Sequence, residues 1–249
     1  MPKFFVTSNE IKNDKIQIKG EDVNHIKNVL RAKIEDKIDI CNTDEMKDYK
    51  CEIEELTNEY INCKIISEKQ NDSESNIEIT IFQGLPKADK MELIIQKSVE
   101  LGVNKIVPVD MKRCVVKLKD KYQIKKVERW QKISEVASKQ CGRGIIPEIG
   151  QVIKIKEIVD KIKEYDTILL AYEKEENNYL KLEIDKLKKL EKDKKKIAIV
   201  IGPEGGLEED EVKLLQENGA KVITLGKRIL RTETVALNMI SILMYELEF

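Results

Sequence analysis

The sequence predicts an α/β protein in two parts: a small β-rich barrel, then a larger domain built on a parallel sheet. Three observations carry this reading. Short runs that alternate apolar with polar residues fill positions 1–70. From Ile77 onward, apolar runs are separated by helix-length segments, the pattern of parallel strands joined by crossover helices. Near the C-terminus two glycine-bearing loops, Gly202-Pro-Glu-Gly-Gly206 and Gly226-Lys-Arg-Ile-Leu-Arg-Thr-Glu-Thr234, each follow an apolar run.

In the first part, Phe4–Val6 and Lys15–Ile18 read as strands. Glu21–Leu30 reads as a short helix, with Val23, Ile26, Val29 and Leu30 as its apolar stripe. Ile38–Cys41, Tyr49–Ile53 and Tyr60–Ile66 alternate again, and short strands at this spacing suit a compact barrel. Glu68–Asn76 is polar and aperiodic, so it is expected to be a linker between domains at 1–70 and 76–249.

The second part begins with a strand at Ile77–Phe82 and a helix at Asp89–Leu101, with Gly102 as the residue that ends it. A strand at Ile106–Val109, a helix at Val127–Gln140 and a strand at Thr167–Ala171 follow, then a lysine-rich surface helix at Tyr179–Leu190. Ile197–Ile201, Asp210–Asn218, Val222–Leu225 and Thr234–Glu248 complete the order as strand, helix, strand and helix. The last helix is apolar almost all round, so it should be buried, one face on the sheet and the other free for a second subunit.

Composition excludes several classes. Five cysteines form no CxxC pair, which fits reduced thiols in a cytoplasmic protein and neither a disulfide frame nor a zinc site. His25 is the single histidine, so a histidine-based metal site or a Ser-His-Asp triad is not expected, and no metal is. No leader and no membrane-length apolar run is present, so no membrane association is expected. The formal net charge is −1, yet residues 86–143 hold fifteen Lys/Arg against seven Asp/Glu, enough for a local basic face.

Neither glycine loop is a P-loop or a G-x-G-x-x-G turn, and Glu204 would repel a phosphate. The ligand expected there is neutral or cationic.

Ile201-Gly-Pro-Glu-Gly-Gly206 and Leu225-Gly-Lys-Arg-Ile-Leu-Arg-Thr-Glu-Thr234 resemble motifs of the small-subunit ribosomal RNA uridine-N3 methyltransferases, the RsmE family of the SPOUT superfamily. Lys97–Val103, Ser138–Arg143 with Pro147, and His25–Arg31 resemble further family segments in order, so the match spans nearly the whole chain. Val235 stands where the family usually has Ala, Glu35 where Gly is frequent, and Cys141 where a small hydroxyl residue is usual. The resemblance implies a PUA-like RNA-binding barrel, a SPOUT domain with a trefoil knot around its parallel sheet, a homodimer, S-adenosylmethionine as cofactor, and 16S ribosomal RNA in the small subunit as substrate.

S-adenosylmethionine carries a sulfonium cation and an adenine that bonds well to main-chain groups. Leu170, Ala171, Ile201, Leu225, Ile229 and Leu230 are the candidates to wall the adenine, although for Leu170, Ile201 and Leu225 ordinary core packing is the simpler role. Gly202, Gly206 and Gly226 would allow close approach. Thr232 and Thr234 are N-cap candidates for the last helix, one of them also a candidate to face the cofactor.

Arg231 is assigned to anion stabilisation as the uracil N3 loses its proton. Glu233 is either the proton acceptor or the residue that holds Arg231, against the simpler role of a helix-start acid. Arg143 is an RNA or active-site candidate in a flexible loop, and Arg31, Lys90, Lys112 and Arg113 are weaker RNA candidates. His25 is expected to pack locally. The alternatives are a SPOUT enzyme acting on a ribose 2′-OH or on transfer RNA, and a non-catalytic ribosome-assembly factor.

Overall fold

A computed structural model describes residues 3–118 and 120–248, so the ends of the two predicted domains, residues 1, 2 and 249, lie outside it. One compact unit takes the chain up to Glu74 together with Ser138–Ile146; the other takes Ser75–Ala137 and everything from Pro147. Domains assigned as contiguous runs miss this return segment, because its burial depends on a partner distant in sequence.

The first unit is a six-stranded sheet in the order β1-β4-β5-β6-β3-β2. Its strands are β1 Lys3–Val6, β2 Ile11–Lys12, β3 Lys15–Lys19, β4 Lys37–Asn42, β5 Lys47–Leu56 and β6 Tyr60–Gln70. Neighbours are antiparallel except β1 and β4, which run parallel. The alternation works as read: Ile16, Ile18, Ile38, Ile40, Cys51, Ile53, Ile61 and Cys63 point into one core with Phe4.

The predicted helix starts as α1 Glu21–Asn24 and then widens into one π-helical turn, His25–Val29. The Leu30 N–H reaches back five residues to the His25 carbonyl, and this wider turn rotates the stripe. Val23 and Ile26 are buried, but Val29 is 65% exposed. His25 packs edge-on against Phe4, ring centres 5.8 Å apart, as expected of a packing residue. Glu35 holds φ +74, a left-handed conformation that glycine takes more readily.

The segment read as a linker is partly structural. β6 runs to Gln70, Asn71 is buried, and Glu74 accepts from the Arg143 guanidinium at 3.1 Å (Nε) and 2.5 Å (Nη2) and from the Gly144 N–H at 2.9 Å. Burial alone would raise the Glu74 carboxyl, but Arg143 and the backbone N–H groups outweigh it and hold the group below its ordinary 4.5.

In the second unit β7 Ile77–Gly84, β8 Lys105–Asp110, β10 Ile153–Lys154, β11 Thr167–Ala171, β12 Lys195–Ile201 and β13 Lys221–Ile223 form a parallel sheet. Its order is β10-β8-β7-β12-β11-β13, and the two-residue β9 Glu148–Ile149 adds to β8. Ile197–Ile201 is almost wholly buried, as a central parallel strand covered on both faces must be.

The helices are α2 Lys90–Glu100, α3 Asp120–Cys141, α4 Lys156–Lys161, α5 Leu180–Lys188, α6 Glu209–Glu217 and α7 Thr232–Glu248. β9, β10 and α4 were not read from the sequence, being too short to show a period. Gly102 ends α2 at φ +102, as expected. The lysine-rich α5 buries Leu180, Ile184 and Leu187 on one face. On α7, Ala236, Met239, Ile240 and Leu243 are fully buried against α2, α5, β7 and β12, while Tyr245 is exposed. Each of the three larger side chains there, Met239, Ile240 and Leu243, contributes roughly 1.5–3 kcal/mol.

Candidate active site

The site lies where four neighbouring strands of the parallel sheet end together. Gln83 of β7, Ile201 of β12, Ala171 of β11 and Ile223 of β13 are cross-strand partners in a single row. Each chain leaves the sheet just beyond that row, so four loops converge over about 14 Å of strand edge. Carboxyl ends of parallel strands are where α/β sheets bind ligands, because loops rather than strands meet there.

The first loop is seated by close packing. A Cβ on Gly84 would lie 2.7 Å from Pro203, so only glycine lets the end of β7 carry this loop. Gly206 takes φ +71 and donates its N–H to the Pro203 carbonyl at 2.9 Å, closing the turn. The Glu173 carboxylate occupies the space where a Gly206 side chain would project.

Thr232 fastens the second loop beneath the first. Its hydroxyl donates to the Gly202 carbonyl at 2.7 Å and accepts from Gln83 Nε2 at 2.8 Å. Thr232 is therefore not the N-cap: α7 starts at Thr232, and the Val235 N–H reaches the Arg231 carbonyl. Thr234 is exposed and caps nothing that bears on the site. The hydroxyl is committed to the sheet end because Thr232 is buried there, where an unpaired carbonyl would be costly.

These loops enclose a cleft of about 910 Å³, within the range of roughly 300–1,000 Å³ common for small-molecule sites. Of the expected cofactor residues, Ala171, Ile201, Gly202, Leu225, Gly206, Gly226, Ile229, Leu230 and Thr232 line it. Leu170 and Thr234 do not; Leu170 is wholly buried in the sheet core, one residue short of the row. Sequence reading missed the β11–α5 loop, whose Tyr172, Glu173, Glu175, Glu176 and Asn177 line the cleft. The available signal was its place just after an apolar strand, the rule used for the other two loops.

Both signs of charge line the cleft. Glu173, Glu175 and Glu176 supply acid from the β11–α5 loop, Lys227, Arg228 and Arg231 supply base from the second glycine loop, and Glu204 and Lys90 add one charge of each sign. A group that carries both a cation and anionic or hydrogen-bonding parts suits such a wall.

Arg231 lines the cleft and is exposed, and its side chain has no hydrogen bond or ion pair among the described residues. Glu233 does not line it. The Glu233 Oε2 lies 3.3 Å from Lys90 Nζ, which also reaches Glu204 Oε1 at 3.1 Å. No bond joins Glu233 to Arg231 among the described residues, so the expectation that it holds Arg231 is not met. Glu204 accepts from the Lys87 N–H as well. Burial would raise the Glu204 carboxyl, but backbone N–H groups and Lys90 hold it below its ordinary value.

The expected RNA candidates are mostly engaged within the chain. Lys90 bridges Glu204 and Glu233. Lys112 pairs with Asp210. Arg113 pairs with Glu208 through Nε at 2.9 Å and Nη2 at 3.1 Å and donates to the Gly205 carbonyl. Arg143 is buried on Glu74 and serves the first unit's structure, not an open loop. Arg31 alone of the five is exposed without a side-chain partner among the described residues; it holds φ +54 at the end of the π turn.

A family model described as an RNA methyltransferase domain matches residues 73–244, and one described as an RNA methyltransferase PUA domain matches residues 18–66. The chain is 36% identical over its whole length to ribosomal RNA small subunit methyltransferase E of Bacillus subtilis, covering 98% of that protein. It is 30% identical over 80% of its length to the same-named protein of Aquifex aeolicus, covering 82% of it. The fold matches the crystal structure of ribosomal RNA small subunit methyltransferase E from Neisseria gonorrhoeae bound to S-adenosylmethionine, with a TM-score of 0.84 and 31% identity over 98% of this chain and 97% of that one.

Proposed function

The chain belongs to the ribosomal RNA small subunit methyltransferase E family, and on that premise we propose that it methylates N3 of a uridine in 16S ribosomal RNA, using S-adenosylmethionine. The observation that carries this reading is Arg231, an arginine without a partner among the described residues, on a cleft lined by the loops that follow β11, β12 and β13. The cleft fits the cofactor on three counts: its size, the main-chain cradle at Gly202–Gly206, and a lining that carries both acidic and basic side chains. When bound there, S-adenosylmethionine supplies a methyl group on a sulfonium centre.

The residues then act by position and charge. Ile201, Leu225 and Ala171 offer the apolar floor, and the main chain of Gly202–Gly206 offers donors and acceptors to the ligand. Arg231 faces the base and stabilises negative charge on the ring carbonyls as the N3 proton leaves. Glu233 works one step back, fixing the first turn of α7 through Lys90. Glu233 does not line the cleft, so the N3 proton passes to solvent rather than to that carboxylate.

The trefoil threading of the C-terminal segment belongs to the same reading, as the family membership implies. So does a homodimer, for which the outward side chains of α7, with Tyr245 exposed, offer a surface. Incubation with labelled S-adenosylmethionine and unmethylated small subunits, followed by nucleoside analysis, tests the function. N3-methyluridine in 16S ribosomal RNA is the expected product; any other methylated nucleoside would sink the substrate assignment.

A further inference from the structure

We propose that Lys227 and Arg228, at the tip of the second loop, form the site that grips the RNA phosphodiester backbone beside the target nucleotide. The inference rests on the RNA methyl-transfer reading and adds where the strand is held. Its basis is which cations the fold leaves open. The basic run at residues 86–143 looks like the RNA face in sequence, yet its three arginines, Arg113, Arg129 and Arg143, are ion-paired to Glu208, Glu92 and Glu74, and its open lysines, Lys87, Lys121 and Lys125 among them, do not line the cleft.

Lys227 and Arg228 are different. Both are exposed, both line the cleft, and neither side chain has a partner among the described residues. The chain carries 46 Asp/Glu against 45 Lys/Arg, so carboxylates are not scarce. Three unpaired cations within five residues, Arg231 included, repel one another and favour a polyanion. Between Arg228 and Arg231, Ile229 is 84% exposed, so the loop is not packed down onto the sheet there.

The cofactor's own carboxylate is the competing ligand for these two side chains. Gly226, at φ +106 with open space where a side chain would project, leads into the pair, and both side chains are exposed. Reach outward to a strand of RNA is the better match. Arg231 then handles the base while Lys227 and Arg228 hold the backbone.

The test is a comparison of the full-length wild type with Lys227→Ala/Arg228→Ala and with Lys227→Arg/Arg228→Lys, all first shown to transfer or not transfer methyl groups to 16S ribosomal RNA. RNA affinity is measured across salt concentrations and S-adenosylmethionine affinity by calorimetry. Expected for the alanine pair is a salt slope lower by about 1.4, two contacts on single-stranded RNA at about 0.7 each, with cofactor affinity unchanged and the Arg/Lys exchange close to wild type. An unchanged slope in the alanine pair, with an active wild type, overturns the loop assignment alone. Loss of cofactor affinity overturns it in favour of the cofactor carboxylate. A wild type that transfers nothing to RNA overturns the underlying reading and this site with it.

Discussion

Arg231 and Glu233 are two residues apart in sequence but do different work. Arg231 is exposed in the cleft, and Glu233 is turned away onto Lys90. Arg231→Ala should lower the rate of the chemical step by roughly 10²-fold or more, the scale of losing one charge-stabilising donor. Cofactor affinity should stay within about twofold, because the proposed reading gives that binding to main-chain groups and the apolar floor. Single-turnover kinetics beside calorimetry would check both halves. A residue-level sequence reading named Arg231 from its motif, but it could not tell that Arg143 is spent on Glu74 or that Arg228 is unpaired. Pairing is a property of what comes near, and Glu74 lies far from Arg143 in sequence.

Among elements, the join between α7 and the sheet end matters most for the site. Thr232 links Gln83 at the end of β7 to the Gly202 carbonyl at the end of β12. Thr232→Val keeps the shape and removes the hydroxyl, leaving a buried carbonyl without its donor at a cost of about 1–3 kcal/mol. Urea unfolding should shift by that amount and cofactor binding should weaken, while Thr232→Ser should restore both. The elements themselves were largely legible, since strands buried on both faces read as apolar runs and helices as stripes. The failures are specific. The π turn at His25–Val29 breaks the helical period that Val29 was read by, and β9, β10 and α4 are too short to have one.

On the scale of the molecule, the first unit is assembled from two stretches of chain, and Glu74 with Arg143 fastens the second to the first. The Glu74 carboxyl lies below its ordinary value when folded, so its contribution is fully present above about pH 4.5 and is lost as pH falls through the folded value. Removing one partner of a buried pair costs about 3–5 kcal/mol. Glu74→Gln should therefore unfold at lower urea than wild type near neutral pH, and the gap should narrow as pH falls below the ordinary 4.5 and through the lowered folded value, where the wild-type carboxyl protonates too. A gap independent of pH would mean the pair adds shape but not charge.

The sequence by itself determined the class of this protein: the strand and helix order, the two glycine loops, the motif with Arg231, and the family. Those are local properties, written in periodicity and in residues adjacent along the chain. Only the tertiary structure decided which charges remain available. It spent Lys90, Lys112, Arg113 and Arg143 on acids brought from other parts of the chain and left Lys227, Arg228 and Arg231 open at the cleft. The physical reason is that a side chain's type is fixed by its position in the chain, while its partner is fixed by what folds against it.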